Sequence, residues 1–328
     1  MKIYITLDYE LFFGSHSGSV DNCIIKPTEA LLKLVDPFDI KLNCFVDSGY
    51  LIALEKFKTQ FPHLEEEYQK ITQQIHFLSA NNHGIELHIH PHWEDTNYDG
   101  ENWVFNTTRY KLSDFNSSEV MEIVTRYNEV LKRISGKSPV AYRAGGWSAQ
   151  PFKHIKDALI RNNINIDSTV YPGGHYFSDN QVFDFRKVDR YKTYYKFSND
   201  LTIEDRNGPF TEIPISSFKV PPSFYWQFAV TKFMKNEKHL DYGDGNAIKL
   251  SKKGLFKLLT TYSNSVVSID GYKSSYLEKA FKDYKAHTNN KGNFVIIGHP
   301  KAFTPFSLRK VADFLSHTHK ENSFQTFR

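Results

Sequence analysis

Between residues 86 and 93 the chain reads Glu-Leu-His-Ile-His-Pro-His-Trp, so that His88, His90 and His92 recur at every second position. On an extended backbone that spacing sends side chains to one side. Imidazole nitrogen is a good donor to zinc and its first-row neighbours. A catalytic centre built on two histidines takes a further ligand from a carboxylate elsewhere and keeps a position open for water or substrate. Thr6-Leu7-Asp8-Tyr9-Glu10 offers two acids two residues apart. Such a pair can divide the labour, one holding metal and the other taking a proton. Asp47 is a third carboxylate open to the same role.

These residues need elements to bring them together. Apolar runs of strand length recur at Ile3–Leu7, Leu42–Val46, Ile85–Leu87, Val140–Tyr142, Ile164–Ile166, Thr211–Ile215, Val266–Ile269 and Phe294–Ile297. They lack strict alternation, as expected of parallel strands covered on both faces. Helix-period segments separate them. One carries Val120, Ile123, Tyr127, Leu131 and Ile134 on a stripe and opens on Asn116 with Glu119 three residues later, a capping-box pattern. Another opens at Thr304-Pro305, with proline at the first helical position. The β-α rhythm predicts an α/β fold, as a barrel or an open sheet.

Asp8, Asp47, His88, Arg143, Asp167, Asp270 and His299 each end one of the runs. In a β/α barrel those ends converge on one rim, where catalytic groups sit. Asp47 and Asp270 are residues with which loops commonly begin; His88, Arg143 and His299 are not.

Taken in order, these motifs resemble those of the polysaccharide deacetylases of the NodB-homology superfamily, the fourth carbohydrate-esterase family. The resemblance runs from Thr6 to His299. It implies a distorted (β/α) barrel of seven or eight parallel strands and removal of N- or O-acetyl groups from polysaccharides. Thr6-Leu7-Asp8-Tyr9-Glu10 is similar to the family's first motif, with the general base on Asp8. Tyr9 stands where the family has its second Asp, so Glu10 is the implied carboxylate ligand. The second motif, His-x-x-x-His, falls on His88 and His92, leaving His90 as a substrate or supporting contact. Arg143-Ala144-Gly145-Gly146-Trp147 resembles the third, with Arg143 orienting Asp8 and a backbone N–H near Gly146 facing the oxyanion. Ile166-Asp167-Ser168 resembles the fourth, with Asp167 tuning a catalytic histidine. Ile297-Gly298-His299 resembles the fifth and makes His299 the general acid. One divalent metal ion is implied, Zn²⁺ first, with Co²⁺, Mn²⁺ or Ni²⁺ as alternatives.

Composition bounds the rest. A net charge of +4 over 328 residues, with no run of five basic residues, gives little support to a nucleic-acid partner. Two cysteines, Cys23 and Cys44, are too few for a disulfide scaffold. No apolar stretch reaches membrane-spanning length, and the first eight residues read as a strand rather than a signal peptide. A cytoplasmic protein is therefore expected. Aromatic residues make up 15% of the chain, and Trp147 and Trp93 are the expected sugar contacts. Polar or aromatic insertions at about 91–115 and 171–250 are expected to act as lids or binding loops on one domain spanning 1–328. Two other functions are carried forward. One is a non-catalytic carbohydrate-binding protein on the same barrel; the other is an amidohydrolase acting on a small N-acyl compound.

Overall fold

A computed structural model describes residues 1–234, 236–248 and 252–328. Lys235, Lys249 and Leu250 of the second expected insertion thus lie outside the described residues. The apolar runs form the strands β1 (Lys2–Tyr9), β2 (Asn43–Asp47), β3 (Gly84–Ile89), β4 (Ala141–Ala144) and β5 (Ile166–Asp167). They continue with β6 (Tyr195–Phe197), β7 (Phe210–Glu212), β8 (Asn293–Gly298) and β9 (Ser323–Phe324). The sheet order is β6-β7-β5-β4-β3-β2-β1-β8, with β9 also pairing with β1. Every neighbouring pair is parallel except β6 with β7. In β1 the register sets Lys2 opposite Asn293 of β8 and Thr6 opposite Asn43 of β2.

The sheet curls into the expected distorted barrel, joined between its flanks by irregular backbone. Past β7, Ile215 N–H donates to the Val170 carbonyl at 2.8 Å and Ser216 N–H to the Val295 carbonyl at 3.0 Å. The run expected as a strand at Val266–Ile269 is shifted: Ser263–Val266 pairs antiparallel with Ser217–Val220. The residues that follow join β8 through a single bridge, Ser268 to Ile297.

Strand period decides which residues face inward. One apolar cluster contains Tyr4, Phe45, Ala141, Val295 and Ile297, and fills the barrel. The intervening residues Ile3, Ile5, Leu7, Cys44, Val46, Leu87 and Tyr142 join the larger cluster beneath the helices. Alternation then carries Thr6, Asp8, Asp47, Glu86, His88 and Arg143 to the inside as well.

The outer helices are anchored by their own ends. In α1 (Ser117–Ser135) the Asn116 side chain accepts from Ser118 N–H and Glu119 N–H, while Glu119 accepts from Asn116 N–H. Such a cap is worth about 1 kcal/mol. The buried stripe of Val120, Ile123, Val124, Tyr127 and Leu131 faces the sheet as its period requires. Among the described residues no helix is long and apolar enough to cross a membrane.

Candidate metal centre and acid–base site

Three donor atoms converge at the inner rim. Glu10 Oε2 lies 2.7 Å from His90 Nε2 and 3.2 Å from His88 Nε2, and the two Nε2 atoms are 3.1 Å apart. A single ion bound tetrahedrally at about 2.0–2.1 Å holds its ligand atoms roughly 3.3 Å apart, so the donor set fits one cation with little movement. His88 Nδ1 lies 2.8 Å from the Arg143 carbonyl, to which it must donate. That contact fixes the tautomer and leaves the Nε2 lone pair facing the cluster. Burial would lower the His88 pKa, but Asp8 and Glu10 outweigh it and raise it. Burial likewise opposes the Glu10 anion, yet Lys301, His90 and His88 hold its carboxyl well below the ordinary range.

The family resemblance implied His88 and His92 as the metal-binding pair; the donor atoms that converge belong to His88 and His90. His90 keeps the strand period of β3, two residues from His88. Pro91 then opens a 3-10 turn, Pro91–Asp95, and the period is lost before His92. The His92 ring stacks on Tyr110 with centroids 5.6 Å apart and planes 3° off parallel, and Phe13 meets it edge-on at 4.7 Å. Neither His92 nitrogen has a hydrogen-bond partner among the described residues. Burial, followed by His90, holds its pKa well below the usual value.

Asp8 sits beside this cluster. Its Oδ1 accepts from Arg143 Nη1 at 2.5 Å, and its Oδ2 lies 3.8 Å from His88 Nε2. Arg143 is fully buried and held from several sides. Its other contacts are Thr6 Oγ1 at 3.0 Å, the Ser168 carbonyl at 2.8 Å, Ser168 Oγ at 3.2 Å and the Phe45 ring at 4.1 Å. The geometry expected of an Arg143–Asp8 pair is present.

His299 faces the cluster from β8, its Nε2 3.7 Å from Asp8 Oδ2. Its partner is Asp270, whose Oδ2 accepts from Nδ1 at 2.8 Å and whose Oδ1 accepts from the His299 backbone N–H at 2.7 Å. Burial disfavours the imidazolium, but Asp270 outweighs it and raises the His299 pKa. Asp167, expected in that tuning role, lies elsewhere. It sits in register with Tyr142 and Glu212, both on the outer face, while Ser168 takes the inward position against Arg143. Burial raises the Asp167 pKa, and burial followed by Asp167 drives Glu212 well above its ordinary value.

Two contributors escaped sequence reasoning. Asp270 was visible as a strand-end acid but indistinguishable from a loop beginning. Lys301 carried no signal: its Nζ donates to Glu10 Oε1 at 2.9 Å and also to the Leu11 carbonyl. Asp47, burial raising its pKa to about 6, accepts from Trp93 Nε1 at 2.6 Å. Trp93 is packed in an aromatic cluster with Tyr50, Trp103 and Phe105, which leaves no face for a sugar. Trp147 is half-buried against Tyr171 and Phe183 and has φ 58°, a backbone region bulky residues rarely adopt. Gly145 lies so close to His90 that a Cβ there would sit 2.6 Å from Nδ1. Gly146, at φ +56°, accepts at its carbonyl from Gln181 Nε2 at 2.6 Å.

No protein-family model and no curated protein matches this chain. Solved structures do resemble it. A protein assigned as a polysaccharide deacetylase in Mycobacterium smegmatis superposes with a TM-score of 0.51 at 14% identity, over 98% of this chain and 85% of that one. Puue allantoinase gives 0.53 at 12% identity, over 99% and 87%. A protein assigned as a polysaccharide deacetylase in Pseudomonas aeruginosa PAO1 gives 0.52 at 10% identity, over 100% and 87%. At such identities the likeness is one of fold: a curled, mostly parallel sheet with helices outside.

Proposed function

We propose that this chain is a metal-dependent hydrolase that removes acetyl groups from N-acetylated sugars of a polysaccharide or its precursor. One observation carries the reading. Glu10, His88 and His90 converge beside the Asp8–Arg143 pair, with the His299–Asp270 pair facing them and His299 Nε2 3.7 Å from Asp8 Oδ2. In this reading Glu10, His88 and His90 are the ligands of one divalent ion, Zn²⁺ foremost. When bound, the ion supplies a Lewis acid and lowers the pKa of water. Asp8, its orientation fixed by Arg143, accepts the proton of the attacking water. His299, held cationic by Asp270, gives a proton to the departing nitrogen. Backbone N–H groups at Gly145–Trp147, on the loop against His90, face the oxyanion. Trp147 borders the bound sugar.

Neighbours of the same fold named as polysaccharide deacetylases support the acetyl-sugar assignment. The enclosure of the site favours a second reading for substrate size: Asp8, Glu10, His88 and His90 are all buried, and His299 shows 19% of its side chain. Such a site suits a single terminal sugar or a small N-acyl compound. The test is acetate release from N-acetylated oligosaccharides and small N-acetyl compounds with Zn²⁺, Co²⁺, Mn²⁺ or Ni²⁺ added. His299→Ala should lower turnover by about 10²–10⁴-fold while metal stays bound. Tight sugar binding without release by the unaltered protein would establish the non-catalytic alternative.

A further inference from the structure

Far more apolar surface is left open in one segment than elsewhere. Of the seventeen exposed large hydrophobic side chains among the described residues, nine fall between 222 and 262. They lie on, between and just past helix α2 (Pro222–Phe233) and helix α3 (Lys252–Thr260). Phe233 is 88% exposed, Phe256 69% and Met234 68%. The pair is held together and docked on the body, since Trp226 Nε1 donates to the Leu259 carbonyl at 3.0 Å and Phe224 packs on Tyr272 and Tyr276. The open side chains therefore belong to a built face.

Charge singles out the same segment. Residues 222–262 hold seven lysines and no arginine, against Glu237, Asp241 and Asp244, a net of +4. The whole chain also carries +4, so the other 287 residues are neutral overall. Asp241 is paired with Lys232, and Asp244 is turned to Ser19 and Asn22, so neither is free to offset the remaining cations.

We propose that the α2–α3 face docks on an anionic lipid bilayer. Aromatic and aliphatic side chains interleaved with lysines on a helical surface partition into the headgroup boundary, and each lysine near anionic headgroups adds attraction. Large open apolar patches on globular proteins mark interaction sites. The lysines select anionic phospholipid over a neutral surface. The segment between the helices is bonded to the rim of the candidate site. Gly14 N–H donates to the Asn246 carbonyl at 3.0 Å, and Gly243 N–H to the carbonyl of Lys301, two residues past His299, at 2.9 Å. The docking face is thus tied through this segment to the site, whatever reaction the site performs.

The experiment is flotation of the full chain with vesicles of phosphatidylcholine alone and of phosphatidylcholine mixed with phosphatidylglycerol, together with tryptophan emission. Binding is expected to the mixed vesicles only, weakened by salt, with a blue shift that Trp226→Phe removes. Phe233→Ser with Phe256→Ser, and separately Lys252→Gln with Lys257→Gln, should each lower partitioning by about tenfold or more. Both pairs are exposed, so an unchanged circular dichroism spectrum is expected of each. Equal binding to both vesicle types, no binding to either, or unchanged partitioning of the variants would overturn the proposal. Self-association through this face in the absence of lipid, abolished by the Phe233/Phe256 pair, would overturn it in favour of a second copy of the chain.

Discussion

His92→Leu separates two ligand assignments, because the geometry gives it a definite sign. His92 is buried with both ring nitrogens lacking partners among the described residues. Each such nitrogen is worth about 1–3 kcal/mol of desolvation, so the two together weigh roughly 2–6 kcal/mol against the fold. The ring's contacts with Tyr110 and Trp93 return about 0.5–1.5 kcal/mol each. Leucine, of similar volume and without polar atoms, removes both terms. The expected result is a gain of about 1–3 kcal/mol in urea unfolding of the metal-free protein. Calorimetric titration with Zn²⁺ should show unchanged stoichiometry. His90→Leu should instead weaken metal binding by more than the roughly 10–100-fold typical of residues that only support a ligand. If His92→Leu abolishes binding while His90→Leu retains it, the His-x-x-x-His spacing describes the ligands and the grouping of Glu10, His88 and His90 does not.

Asp270→Asn tests the acid. Because the His299 pKa is raised in the folded chain, the stabilisation from this pair is fully present below the ordinary histidine value of about 6.5 and is lost as pH rises through the raised value. The variant should therefore lose stability at acid and neutral pH and little in alkali. The basic limb of its pH–rate profile should move to lower pH; a limb that stays in place excludes Asp270 as the tuning group. Arg143→Met leaves Asp8 buried without its cation and should cost about 3–5 kcal/mol, of which Asp8→Asn in the same chain restores a large part. Strictly additive losses in urea unfolding would show that the 2.5 Å pair is not energetically coupled.

The fold was legible where apolar runs end in unusual residues. His88, Arg143 and His299 finish strands that parallel pairing buries on both sides, and a barrel brings those ends together whatever the loops do. What the sequence concealed was strand parity. Asp167 and Asp270 both follow apolar runs, but only the register shows Asp167 sharing the outer face with Tyr142 and Glu212. The same parity admits His90 and drops His92, because Pro91 ends the extended backbone between them. Lys301 was invisible for a different reason. Its meeting with Glu10 spans 291 residues of chain, and no local pattern encodes it. Within the second insertion the apolar run at Thr211–Ile215 announced β7, whereas β6 is only three residues long, too short for a periodic signal.

The pairing of β1 with β8 has a consequence for how the protein is made. Lys2 lies opposite Asn293, so the strand that delivers Asp8 and Glu10 waits for a partner synthesised 291 residues later. At about 5–20 residues per second the ribosome needs roughly 15–60 s to bridge that interval. Throughout it one edge of β1 is an unpaired apolar strand, open to mispairing with nascent neighbours. A chain stalled or cleaved before β8 therefore exposes that edge permanently and lacks His299. Loss of β8 should thus appear in cells as aggregation and chaperone dependence, before any loss of chemistry could be assayed.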